Sequence, residues 1–325
     1  MARETSLKEI HHQGVVSPEL SGKRLDQVLA RLFSDYSRSR LQGWIREGRV
    51  QVDGRLRKAK EKVWAGEQIT LRALLEDRDG CEAEDIPLDL LYEDEHLLVV
   101  NKPAGLVVHP AAGNWSGTLQ NALLHHDPEL VKLPRAGIVH RLDKDTTGLM
   151  VVARSLPAHK RLVEALQARE IKREYMAVVN GLPTAGGTVD APIGRHPVNR
   201  VRMAVVAGGK PARTHFRISE RFRAHTLLDV RLESGRTHQI RVHMAYVRHP
   251  LVGDPVYGGR LKLPPAASEE LRSLLRGFGR QALHARRLSL VHPLSGEGMS
   301  WVSPVPEDLA ALLEGLRRDV RTDGA

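Results

Sequence analysis

Between Gly137 and Gly148 the chain places His140, Arg141, Asp143, Lys144, Asp145, Thr146 and Thr147 in close succession between apolar flanks. Two carboxylates, cations, an imidazole and hydroxyls in so short a stretch could supply a nucleophile or a proton acceptor with its charge partners. The stretch reads as a loop leading into an apolar strand, Leu149 to Ala153, and loops held by a rigid scaffold are where reactive groups commonly sit. The same letters also describe a turn whose Asp and Thr side chains bond the nearby backbone, the part assigned here to Asp145. A glycosidase pair of Asp143 and Asp145 is disfavoured, because two carboxylates two positions apart on one loop are poorly placed to flank a sugar.

A second dense segment runs from Glu233 to Met244 and holds Arg236, His238, Arg241 and His243. Ile240, Met244 and Val247 recur at i, i+4 and i+7, so a helix from Thr237 to Val247 should bury one face. Arg241 adjoins that stripe. A partly buried arginine needs an anionic partner, and a catalytic carboxylate would be one. The sixteen histidines include no His-x-x-x-His pair, and His238 and His243 are five apart, so they are expected to stack, hydrogen-bond or touch phosphate. Neither a Gly-x-Gly-x-x-Gly fingerprint nor a Gly-Lys-Ser/Thr phosphate loop is present, and no metal or organic cofactor is expected.

These segments must be positioned by a mixed scaffold. Strands are expected over Leu97–Val100, Leu149–Ala153, Tyr175–Val179 and Thr226–Leu232, and helices over Thr118–His125, Ala158–Ala168, Thr237–Val247 and Glu307–Arg317. Strands do not alternate strictly with helices, which points to an α+β domain with a mixed, largely antiparallel sheet, peripheral helices and a central cleft over residues 87–325. Ahead of it, residues 18–75 read as a small module of helix, helix and hairpin: Leu25, Val28, Leu29 and Leu32 form one apolar face, Leu41, Trp44 and Ile45 another, and Asp53-Gly54 marks a turn. Ser39 with Gln42 gives a capping signal for its second helix. Residues 76–86, rich in Asp and Glu, read as an acidic linker.

The chain carries 49 Lys and Arg against 39 Asp and Glu, a net charge of +10, which suits a polyanionic partner. From Pro18 to Arg72 there are thirteen basic residues against seven acidic ones, with Arg38, Arg40, Arg46 and Arg49 in the second half, a plausible grip on RNA or else a solvated face. One cysteine, Cys81, excludes an intrachain disulfide framework. The first twenty residues hold no signal-peptide-like apolar run, and no later run approaches a membrane span, so the cytosol is the expected compartment.

The motif His140-Arg141-Leu142-Asp143-Lys144-Asp145-Thr146-Thr147-Gly148-Leu149 resembles that of the RNA pseudouridine synthases, in which the first aspartate is the nucleophile. Arg173-Glu174-Tyr175 resembles that family's tyrosine motif, Gly235-Arg236-Thr237-His238-Gln239-Ile240-Arg241-Val242-His243 its arginine motif, and Leu283-His284-Ala285 through Leu288 its late motif. The resemblance extends over nearly the whole chain to members acting on large-subunit ribosomal RNA, including Asp35-Tyr36-Ser37-Arg38-Ser39-Arg40, Asn101-Lys102-Pro103 and His249 to Gly259. The N-terminal module resembles an S4 RNA-binding domain.

The resemblance implies isomerisation of uridine to pseudouridine without a cofactor, with Asp143 as nucleophile, Arg241 as its cation and Tyr175 beside the uracil. It further implies that Leu288 shapes the pocket wall and that His140, Arg141, Arg236 and His238 contact the substrate. Large-subunit ribosomal RNA or a pre-ribosomal particle is the implied partner, at the helix-69 stem-loop. A monomer without an obligate protein partner is expected. Other ribosomal sites or tRNA remain alternative targets, and a non-catalytic assembly factor or a glycosidic hydrolase are alternatives of another class.

Overall fold

The computed structural model describes residues 7–33, 36, 38–76, 81–110 and 114–322, which divide into two compact units on either side of Gly80. Asp35, Ser37 and residues 77–80 of the expected linker lie outside the described residues.

In the first unit β1 (Leu7–Val15) leads to α1 (Leu25–Leu32), α2 (Arg38–Arg46), β2 (Val50–Val52), β3 (Arg55–Leu56) and β4 (Gln68–Glu76). The sheet order is β1-β4-β2-β3. Leu25, Val28 and Leu29 pack with Leu41, Trp44, Ile45, Val50, Val52, Ile69 and Leu71 in one buried cluster, as the helical spacing requires. Asp53 and Gly54 both adopt positive φ (47° and 74°), the turn that matches the twist of a two-residue hairpin. Two expectations change. The module's sheet includes β1, which lies before residue 18 and pairs with β4 along nine residues. Helix α2 begins at Arg38, so Ser39 lies inside its first turn and is not its cap, and the Gln42 amide instead donates to Asp26 at 2.7 Å.

The second unit contains β5 (Leu90–Glu93), β6 (Leu97–Lys102), α3 (Leu119–His126), β7 (Thr147–Ala153), α4 (Leu156–Gln167), β8 (Lys172–Asn180), β9 (Gly187–Asp190), β10 (Ile193–Arg195), β11 (Met203–Val205), β12 (Arg213–Arg221), β13 (His225–Leu232), α5 (Gln239–Tyr246), α6 (Glu269–Gly277), β14 (Leu283–Val291), β15 (Gly298–Val302) and α7 (Glu307–Thr322). Its sheet runs β5-β6-β7-β14-β8-β13-β12-β9, with β15 on β14. Among the strands of the described residues β7 and β14 alone pair in parallel and the other strand pairs are antiparallel, so the fold is the mixed, largely antiparallel α+β type. Residues 81–86 are not a free tether: Glu82 and Glu84 bond Asn121 through their backbones, and the Glu84 carboxylate accepts from Gly117 N–H at 3.0 Å.

Alternation in the strands explains why the sheet is covered on both faces. Leu98, Val100, Met150, Val152, Tyr175, Ala177 and Val179 enter one cluster with Leu119 and Leu123 of α3 and Ile240 and Met244 of α5. Their neighbours Leu97, Val99, Leu149 and Val151 pack beneath α4, while Met176 and Val178 meet α6 and α7. The central joint of this sheet is Gly148, at φ 110°. A Cβ there would overlap the backbone of Ala285, its parallel partner. Gly148→Ala should therefore cost on the order of 2–4 kcal/mol through strain and overlap together, read as a lowered urea midpoint; an unchanged midpoint would show that the β7–β14 joint does not need the close approach.

Candidate active site

The loop carrying Asp143 enters from a short turn at Pro134–Gly137 and leaves into β7. From behind, four consecutive residues are each held by a different side chain. Lys102 Nζ donates to the Lys144 carbonyl at 2.8 Å, Arg280 Nη1 to the Asp145 carbonyl at 3.3 Å, Gln281 Nε2 to Thr146 Oγ1 at 3.0 Å, and His284 Nδ1 lies 2.9 Å from Thr147 Oγ1. Arg280 is itself fixed by Asp308 at the start of α7, with Nε donating at 2.6 Å. The Asp145 side chain makes no hydrogen bond among the described residues, contrary to the turn-forming part expected of it; its charge faces Lys102 instead. The Thr146 N–H closes the loop onto the Asp143 carbonyl at 3.0 Å.

On the open side of the loop Asp143 meets Arg241, in the first turn of α5. Arg241 Nη1 donates to Asp143 Oδ2 at 3.0 Å. The guanidinium is 5% exposed, and its main partner is a residue that the sequence reading did not single out: Asp254 accepts from Nε at 2.7 Å and from Nη2 at 2.9 Å. Asp254 also accepts from the backbone N–H groups of Val256 and Tyr257, which a turn after Gly253 folds back onto it. Burial alone would lower the Arg241 pKa; the bonds and charge of Asp254, and then of Asp143, outweigh it and hold the group above its ordinary value. Burial likewise opposes ionisation of Asp254, yet Arg241 and the two N–H donors hold its carboxyl below the usual range. Tyr257 covers this pair, with Arg241 5.1 Å from its ring centre, and its hydroxyl lies 2.8 Å from His238 Nδ1.

Asp143, Tyr175, Arg241, His140, Arg141, Arg236 and His238 all line one cleft of about 1020 Å³. His238, in the left-handed conformation at φ 57°, caps α5 and brings Nε2 to 3.9 Å from Asp143 Oδ1. Its pKa is lowered, chiefly by burial, with Asp143 opposing. Tyr175 is buried in the cleft wall, which raises its pKa. His140 accepts the Val151 N–H on Nε2 at 3.1 Å, and burial pushes its pKa down to about 3, so the ring is a neutral brace at one nitrogen. Arg141 is exposed near His109, and Arg236 donates to the Pro211 carbonyl at 3.2 Å.

Leu288 is not in the cleft. It packs with Leu149, Val151, Ile171 and Leu290 under α4, and Leu283 borders the cleft instead. Leu288 lies five positions after Leu283, so alternation along β14 sets the two on opposite faces of the sheet. In the other unit Arg40 lies 5.9 Å from the Trp44 ring centre and Arg46 and Arg49 are exposed. The Arg38 side chain is outside the described residues.

The RNA pseudouridylate synthase family matches residues 96–246 and the S4 domain residues 23–69. Over 305 residues the chain is 61% identical to the "Ribosomal large subunit pseudouridine synthase D" of Escherichia coli O157:H7, covering 94% of each chain. It belongs to the RNA pseudouridylate synthases. This is a family of isomerases, and the chain is one by descent and fold. The synthase D of Pseudomonas aeruginosa is 60% identical over 301 residues, 93% of this chain and 94% of that one. Among solved structures, Human RNA Pseudouridylate Synthase Domain Containing 4 superposes with a TM-score of 0.53 at 25% identity, covering 70% of this synthase and 92% of that chain. Human RNA Pseudouridylate Synthase Domain Containing 1, at 24% identity and a TM-score of 0.52, covers 69% and 86% and shares the fold.

Two outcomes are expected of the site. Asp254→Asn removes the charge that compensates a buried guanidinium and should cost about 3 kcal/mol or more in urea denaturation, whereas Asp143→Ala should cost within about 1 kcal/mol. Equal losses would refute the ranking of the two carboxylates. Lys102 is 1% exposed, and burial, with Asp145 and Asp143 opposing, lowers its pKa to about 7. Between that value and its ordinary 10.5 the unfolded chain binds the extra proton, so the stability of the parent relative to Lys102→Met should rise as pH is raised through this window. A difference that stays flat between pH 6 and pH 10 would sink that linkage.

Proposed function

We propose that this synthase converts uridine to pseudouridine in large-subunit ribosomal RNA, in the helix-69 stem-loop, with Asp143 as the attacking carboxylate. The observation that carries the reading is the Arg241–Asp143 bond of 3.0 Å at the floor of an arginine-lined cleft. The ribosomal target rests on the relatives named synthase D. A uridine stacked in RNA is out of reach, so it is flipped into the cleft at a cost of roughly a few kcal/mol, offset by phosphate and pocket contacts.

The reaction breaks the N1–C1′ bond, joins C5 to C1′, removes the C5 proton and places one on N1, so atoms balance without a redox partner. Asp143 attacks as the anion. Arg241, already neutralised by Asp254, donates one directed bond that orients the carboxylate. Tyr175 lies beside the uracil and handles the C5 proton, and Leu283 takes the wall position first given to Leu288. His238 and Arg236 contact the substrate from the α5 side, and Arg141 and His140 from the loop. The N-terminal module, with Arg38, Arg40, Arg46 and Arg49, grips RNA outside the cleft. The synthase works as a cytoplasmic monomer; no helix among the described residues is long and apolar enough to cross a membrane.

Purified protein incubated with a large-subunit rRNA transcript tritiated at uracil C5, free or assembled into subunits, should release tritium, with the modified sites mapping to the helix-69 loop. Asp143→Ala should abolish release. Release mapped only to other positions or to tRNA would overturn the target. No release from any of these RNAs would overturn the reading as a whole in favour of an RNA-binding assembly factor.

A further inference from the structure

One arginine in the cleft wall has a buried nitrogen that bonds nothing among the described residues. Arg173 stands two positions before Tyr175 on β8, and among the described residues it makes neither a hydrogen bond nor an ion pair. Three neighbouring arginines have carboxylate partners: Arg213 bonds Asp190 at 2.6 Å, Arg169 bonds Glu233 at 2.5 Å, and Arg241 bonds its two carboxylates. Glu174, adjacent in sequence, turns instead to Arg231 at 3.1 Å and Arg287 at 3.7 Å. Arg173 Nε is a buried polar atom lacking a partner, and so is His140 Nδ1. Buried polar atoms of this kind are rare and call for an explanation.

Two further features bear on it. With Nε2 of His140 accepting the Val151 N–H, the proton of the neutral ring resides on Nδ1, which is therefore a donor. Gly235 adopts a backbone conformation open to other residues, yet the nearest atoms to a Cβ there would be those of the Arg173 guanidinium, with Nη1 at 3.0 Å and Nη2 at 3.8 Å. The missing side chain leaves room for that group. A full positive charge and a neutral donor, with no acceptor committed to either, match an anionic acceptor better than a uracil edge, which is neutral and offers both donors and acceptors. A guanidinium fork also suits phosphate oxygens in a bidentate manner.

We propose that Arg173, with His140 Nδ1–H, receives a phosphodiester group of the RNA beside the flipped uridine and so fixes that nucleotide's depth in the cleft. This deepens the isomerase reading and rests on it. The test compares the full-length parent with Arg173→Gln, Arg173→Lys and Gly235→Ala on the stem-loop RNA. Binding is measured in an Asp143→Asn background across a salt series, and turnover by tritium release with Asp143 intact.

Loss of one phosphate contact should lower the slope of log affinity against log salt by about 0.7–0.9 in Arg173→Gln. Arg173→Lys should keep the slope, and Gly235→Ala should weaken binding by displacing the guanidinium. KM should rise about tenfold in Arg173→Gln with kcat falling less than about threefold. One methylphosphonate, scanned through the phosphates flanking the target, should weaken the parent at a single position and leave Arg173→Gln unaffected there. An unchanged salt slope, or a fall in kcat at constant KM, would overturn the proposal and assign Arg173 to Tyr175 or the uracil. A parent that releases tritium while Arg173→Gln keeps its slope removes this proposal alone. A parent that binds through Arg173 but releases none removes the isomerase reading and leaves the phosphate contact standing.

Discussion

A guanidinium taken almost wholly out of water governs the second unit. Dehydrating one charge costs several kcal/mol, and the cost is tolerable only where counter-charge and geometry are both supplied. Asp254 supplies them with two parallel bonds to Arg241, and the turn after Gly253 supplies two N–H donors to Asp254 in turn. Tyr257 closes the arrangement from above. The three charged groups together carry a net charge of −1, and that residual charge is on Asp143, the member of the three that is 16% exposed. A structural ion pair thus holds the Asp143 carboxylate in place without neutralising it.

Direction is the second requirement, because a carboxylate on a slack loop would spend little time aimed at one atom. Lys102, Arg280, Gln281 and His284 take hold of residues 144, 145, 146 and 147 one after another. All four anchors use backbone or side-chain oxygens of the loop, which leaves the Asp143 carboxylate free to take its bond from Arg241. Precision on one side and freedom on the other come from the same short segment.

Much of this was legible in the residues. The apolar runs at Leu97, Leu149, Tyr175 and Thr226 announced the central strands because burial of both faces leaves nearly unbroken hydrophobic letters, and the stripe through Ile240 and Met244 announced the helix that carries Arg241. Asp254 was not legible as its partner, since the pairing depends on a turn that folds a loop residue back across the helix, and nothing local encodes that return. Leu288 owed its expected place to the family motif alone, whereas alternation along β14 sets it on the face away from Leu283. Ser39 carried a correct cap pattern one residue inside a helix that begins earlier. The acidic stretch at 81–86 looked like a tether by composition, but backbone bonding to Asn121 ties it down.

The parallel joint between β7 and β14 brings Thr147 beside His284. Contacts so distant along the chain close late, because the intervening loop entropy must be lost before they form. Synthesis proceeds from the N-terminus, so the basic first unit can fold while the residues that clamp this loop do not yet exist. Until residues 280–284 leave the ribosome, the nascent polypeptide has an RNA grip but no ordered carboxylate. The order of the sequence therefore sets the RNA-binding module well ahead of the residues that clamp the loop carrying Asp143.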